Sequence, residues 1–210
     1  RTCYSFCMCP GGLVVAASSE PGLTVTNGMS SYARSDANAN SGFMVEIFPE
    51  DFGNSENPLS GIQFQREWEQ KAFQAGDSDG RAPAQLLGDF MQNIKSSEIG
   101  NVVPSYRPGV IMTDIRECLP EYVVKVMRQS VHGISKQIDG FNRKDAVLTA
   151  AETRSSSPLR ITRDSLMQSP SVKGLYPAGE GAGYAGGILS AAVDGLRTAK
   201  ALHANAISSL

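Results

Sequence analysis

Five glycines, Gly179, Gly181, Gly183, Gly186 and Gly187, crowd residues 179–187 of the segment 174–188 (GLYPAGEGAGYAGGI), with one carboxylate, Glu180, among them. Glycine is needed where backbone takes a positive φ or lies directly against a ligand. A helix starting from such a turn aims free N–H groups and the positive end of its dipole at a ligand oxygen carrying negative charge. The spacing superficially fits Gly-x-Gly-x-x-Gly. That fingerprint, however, opens a strand–helix–strand unit and expects an acidic residue about 20 positions later. Here a single helix follows, so the turn reads as a closing element. Composition alone is equally compatible with a packing turn. Glu180 favours the ligand, because open α/β sheets collect ligands at strand carboxyl ends beside helix N-termini.

Cys3, Cys7 and Cys9 form a C-x3-C-x-C cluster followed by Pro10, Gly11 and Gly12. Three chemistries are open to it. Structural zinc favours two separated pairs at C-x2–4-C spacing, and only Cys118, His132 and His203 remain as further ligands. A redox-active thiol is the second. Burial as small hydrophobes beside a glycine turn is the third. A further cluster at 152–160 (ETRSSSPLR) places Arg154 and Arg160 near hydroxyls and Glu152. Two guanidiniums can clamp a substrate carboxylate or a phosphate by bidentate bonding; they can equally pair with Glu152 and Asp164 in a solvated loop. His132 and His203 each fall on an expected helix, as surface or cap residues. The Asn and Gly of 27–30 and 38–41 are explained by turn chemistry.

Alternating apolar runs predict two strands at 12–17 and 23–27 joined by a turn, and another at 43–48. Residues 30–42 read as a loop. A helix is expected over 62–75, carrying Phe64, Trp68 and Ala72 on one face, with Gly76 closing it. A short helix is expected after Pro83, burying Leu86, Leu87, Phe90 and Ile94. Pro120 suits the first position of another, with Val123, Met127, Val131, Ile134 and Ile138 as its stripe. Strands at 145–150 and 174–178 and a helix over about 187–207 complete the order. The pattern is α/β and α+β mixed, without regular βα alternation.

At 41% hydrophobic and 19% charged, with formal net charge -2, the composition is that of an ordinary globular protein. It lacks the basic stripe that tracks phosphate backbones, which excludes nucleic acid as the expected partner. The apolar run at 13–17 is too short to span a bilayer, and Asp194, Arg197 and Lys200 interrupt the C-terminal one, so no membrane span is expected. The sequence opens at Arg1 without an initiator Met or a secretory signal, as expected of an excerpt or a processed product. Four cysteines do not make a disulfide scaffold and fit free thiols in an intracellular, cytoplasmic or organellar compartment.

Several blocks together resemble the FAD-dependent dehydrogenases of the two-dinucleotide-fold class. They are RTCYSFCMCPGG (1–12), TNGMS (26–30), NANS (38–41), PAQ (83–85), PSYRPGV (104–110), ETRSSSPLRI (152–161) and GLYPAGEGAGYAGGI (174–188). The resemblance implies an FAD-dependent oxidoreductase acting on an unidentified organic substrate, of which this chain is the C-terminal portion. NAD(P)H is an open choice of electron donor. It further implies an inserted substrate or cap domain over 1–147, with 148–210 returning to a Rossmann-like FAD-binding domain through a strand–turn–helix. The cofactor contacts would be Gly179, Glu180, Gly181, Ala182, Gly187 and Ile188, with Glu180 on the ribityl hydroxyls and the Gly187–Ile188 backbone at the flavin pyrimidine edge. The opening half that holds the ADP moiety is absent. No general base stands out. Two rivals are a non-catalytic FAD-fold or partner-binding fragment and a Cys-based metal or iron–sulfur module.

Overall fold

In the computed structural model, which describes residues 1–53 and 56–207, the chain divides into two compact units. The first comprises Arg1–Asp51 and Phe64–Thr153, the second Phe52–Gln63 and Arg154–Leu210. The architecture is mixed α/β. Two sheets of two strands and one of three, with four α-helices, are present among the described residues.

Within the first unit, β1 (Cys3–Cys9) pairs antiparallel with β4 (Asn40–Val45), and β2 (Gly12–Ala16) with β3 (Thr26–Ser30). The expected hairpin is present, but its second strand begins at Thr26 rather than residue 23. Thr24 and Val25 are buried yet bond outside the ladder: Thr24 N–H donates to the Glu69 carbonyl, and Val25 N–H to Ser18 Oγ. Residues 27–30 and 40–41, expected as turns, are therefore strand. Strand β4 ends three residues early, because Phe48 N–H turns to the Asp51 carboxylate, which Arg1 also grips. Strand β1 has no clean alternation of apolar residues. A bulge between Phe6 and Cys9 breaks its register, with Cys7 in a left-handed conformation (φ 50°).

The third sheet has the order β6–β5–β7: β5 (Ala82–Leu86) lies parallel to β6 (Val110–Met112) and antiparallel to β7 (Val147–Thr149). A helix was expected from Pro83; instead Pro83 sits inside the central strand. Its carbonyl accepts from Ala150 N–H, and its missing N–H leaves the sheet intact. Small side chains at Ala82 and Ala84 let neighbouring strands approach, but give no β signal in sequence. The short helix follows as α2 (Leu87–Gln92), and it stops where Asn93 turns left-handed (φ 61°). Ile94 lies beyond that stop and is half exposed, not buried as expected.

Helix α1 (Ser60–Ala75) runs from the second unit into the first. It buries Glu69 and Ala72 fully, whereas Phe64 and Trp68 are only half-buried. Gly76 does follow it, but through close approach rather than positive φ: a Cβ there would stand 2.1 Å from the Arg81 carbonyl oxygen. Helix α3 (Glu121–Ser135) is capped by Pro120 and buries Val123, Val124, Met127 and Val131. These residues close a core with Ala72, Leu87, Phe90, Ile115, Cys118, Ala150 and Ala151.

The second unit has one long helix, α4 (Ile188–Ile207), preceded by irregular chain. The strand expected at 174–178 does not form. Its backbone groups bond locally instead: the Leu175 carbonyl accepts from Ser169 N–H, and the Pro177 carbonyl accepts from Arg163. The closing element is therefore loop–turn–helix. Gly61, at the start of α1, packs in this unit against Pro158, where a Cβ would stand 2.6 Å from the proline ring.

Candidate functional site

The glycine turn is held by its own backbone and by three side chains. Gly183 N–H donates to the Glu180 carbonyl and Tyr184 N–H to that of Gly179, closing one tight loop. Gly179 and Gly183 take positive φ, 72° and 82°. At Gly183 a Cβ would also meet the Leu159 carbonyl oxygen at 2.3 Å, so glycine there is a packing requirement. Ala182 is buried, and its carbonyl accepts from Ile161 N–H, which ties the turn to the 152–161 segment.

Packing does not account for the other glycines. Nothing lies within 4 Å of a Cβ built at Gly181, and at Gly186 and Gly187 the nearest atoms are serine hydroxyls at 3.9 and 3.7 Å. None of the three has a positive φ. Beside them residue Glu180 is half-buried, and among the described residues no hydrogen bond or ion pair engages its carboxylate. Gly187 N–H is bonded by Ser190 Oγ at 3.1 Å. The N–H groups of the first turn that follows have no intrahelical partner, as in any α-helix.

Sequence reasoning missed Asp194, Arg163 and Tyr184. Asp194 lies in the second turn of α4, with its oxygens on both terminal nitrogens of Arg163 at 2.9 and 2.6 Å. Both side chains are almost fully buried. The Arg163 guanidinium and the Gly179 N–H hold the Asp194 carboxyl well below the usual carboxylate range, at about 2. Arg160, read as a substrate or phosphate clamp, donates through Nε to the Gly183 carbonyl at 3.0 Å and lies over the Tyr184 ring. It supports the turn. Arg154 is half-buried in the same unit.

The cysteines lie in the first unit and face different ways. Cys3 packs on the α3 side of the core, and burial pushes its thiol up. Cys7 is exposed at the bulge, and Cys9 donates its thiol to the Cys7 carbonyl at 3.3 Å. Cys118, wholly buried, is pushed up to about 12 by desolvation and is an inert thiol. Among the described residues no group of three or more His, Cys, Asp or Glu side chains could hold a metal ion. Two further polar groups stand out here. Glu152 is half-buried with its carboxyl pushed up by desolvation, and the Asn40 amide is buried against Gly28 without a hydrogen-bond partner. No helix among the described residues is long and apolar enough to cross a membrane.

Residues 1–155 match the family model described as "FAD-dependent protein, C-terminal domain-like". The match ends two residues beyond Thr153, where the first unit ends. A protein of Clostridium beijerinckii (strain ATCC 51743 / NCIMB 8052), named only "Uncharacterized protein", is 52% identical over 200 residues. That similarity takes in 95% of this chain and 37% of the relative, so the chain spans little more than a third of the relative's length. Most of the chain, including the whole first unit, thus fits one family model: the chain belongs to the FAD-dependent protein family, C-terminal domain-like.

Proposed function

We propose that this chain is the C-terminal portion of an FAD-dependent oxidoreductase, a dehydrogenase acting on an organic substrate yet to be identified. In this reading the turn at 179–182 and the start of α4 at Gly187 and Ile188 hold part of the flavin. The observation that carries it is the unengaged carboxylate of Glu180 beside glycines that neither packing nor backbone conformation demands. Glycine without such a demand leaves backbone open to close approach by a ligand. Family membership supports the choice of FAD as that ligand.

The bound flavin supplies the redox chemistry; the chain supplies position and electrostatics. Glu180 accepts hydrogen bonds from the hydroxyls of the ribityl chain. The first-turn amides of α4 favour negative charge at the pyrimidine edge. A substrate or cap domain over 1–147 and a flavin domain over 148–210 are part of this reading. The unit boundary between Thr153 and Arg154 and the end of the family match support a division near that point. The outer face of α4 supports a larger flavin domain, because Ile188, Leu189, Val193 and Leu196 are exposed. Such a face suits a further layer of the longer polypeptide. A nicotinamide donor draws no support from the described residues and is not part of the reading.

The test is the visible spectrum of the purified full-length protein. Flavin absorbance that dithionite bleaches and air restores is the expected result. A colourless protein that FAD cannot reconstitute would overturn the reading and leave a fold without its cofactor.

A further inference from the structure

Gly179 immediately precedes Glu180, and its backbone N–H donates to Asp194 Oδ2 at 2.8 Å. The same carboxylate is bidentate with Arg163. Arg163 Nη1 also donates to the Pro177 carbonyl at 2.8 Å, and the guanidinium lies 3.6 Å over the Tyr184 ring. The Tyr184 hydroxyl in turn donates to the Ile161 carbonyl and accepts from Arg163 N–H. One buried ion pair thus grips the chain at 177, 179 and 184, on both sides of Glu180. Thr198 adds a bond from its hydroxyl to the Asp194 carbonyl, one turn further along α4.

A buried ion pair is weak evidence for net stability, because desolvation offsets most of the attraction and apolar replacement is often neutral. Its distinguishing property is direction. Two fixed forks, one on a helix and one on a loop, allow little freedom to the peptide between them. We infer that Asp194, held in place by Arg163, is a positioning residue for Glu180: its carboxylate oxygen fixes the Gly179 peptide and so aims the Glu180 carboxylate at the flavin hydroxyls. The inference rests on the flavin reading above. Asp194 itself touches no ligand in this scheme and acts through Glu180.

The test is a double-mutant cycle in the full-length protein, read as the dissociation constant of FAD for the apoprotein, with melting curves alongside. Glu180→Ala weakens FAD by about tenfold to 150-fold, the loss of one charge-assisted hydrogen bond. Asp194→Ala weakens it by about fivefold or more, and the double variant is no more than about twofold weaker than Glu180→Ala alone. Asp194→Asn keeps an oxygen for Gly179 N–H while leaving Arg163 without an anion. Its melting temperature falls, but its FAD affinity stays within about twofold of wild type. Should Asp194→Ala fail to fold, Arg163→Met with Asp194→Leu removes the Gly179 acceptor and leaves no buried charge; it takes the same place in the cycle.

Additive losses from Glu180→Ala and Asp194→Ala would overturn the inference and leave the flavin reading standing. So would wild-type affinity in Asp194→Ala, or an Asp194→Asn protein whose affinity falls together with its stability. Wild-type affinity in Glu180→Ala would remove the flavin reading first, and the inference with it.

Discussion

In the first unit the innermost positions are Phe90, Ile115 and Cys118, ringed by valines and methionine from α3 and by alanines from α1 and the end of β7. In the second unit the inward positions of α4 are Asp194 and Thr198, at 8% and 6% exposed, while Ile188 and Leu189 stand 84% and 81% exposed. One unit closes an apolar cluster, although it also buries Glu69 and Asp114. The other buries an ion pair and shows its apolar residues to the outside. The contrast teaches that the first unit carries its own hydrophobic driving force, whereas the second is organised by directed polar bonds around the glycine turn. A helix polar within and apolar without is half of an interface. The functional reading follows from the same contrast, since a turn fixed by polar bonds can hold a carboxylate still for a ligand.

Three measurements can break or sharpen this comparison. The largest effect belongs to the first unit. Phe90→Ala opens a cavity in a closed apolar core and costs about 3–5 kcal/mol in chemical denaturation. A cost under about 1 kcal/mol would mean that this core is not the main source of stability. An intermediate effect belongs to the outer face of α4. Leu196→Asp in the 210-residue chain changes stability by less than about 0.5 kcal/mol, as at other exposed sites. In the longer polypeptide the same substitution costs about 2 kcal/mol or more, the burial energy of a leucine. Equal small effects in both would mean that nothing covers the face.

Much of the first unit was legible because its signals were local. The hairpin of β2 and β3 and the stripe of Val123, Met127 and Val131 follow from short periodicities. Strand β5 was not legible. Ala82, Pro83 and Ala84 carry no β propensity, and only their long-range partners at 110–112 and 147–149 make them a strand. Strand β1 was hidden by its bulge and its cysteines. In the second unit the helix was legible from its apolar residues, and its orientation was not. Its inward residue Asp194 is fixed by Arg163, which lies 31 residues earlier and leaves no local periodicity. The glycine turn was found from composition. The roles of its glycines separated only when Gly183 proved to be packed and Gly181 open.

The smallest change in structure tests the central claim most directly. Glu180→Ala removes one carboxylate that no hydrogen bond or ion pair ties to the rest of the described chain. Titration of the full-length apoprotein with FAD should give a dissociation constant raised about tenfold to 150-fold, with an unchanged melting curve. Glu180→Gln, which keeps one acceptor, should lie between Glu180→Ala and wild type. An affinity within about twofold of wild type in Glu180→Ala would contradict the account and reduce the glycine turn to a packing element.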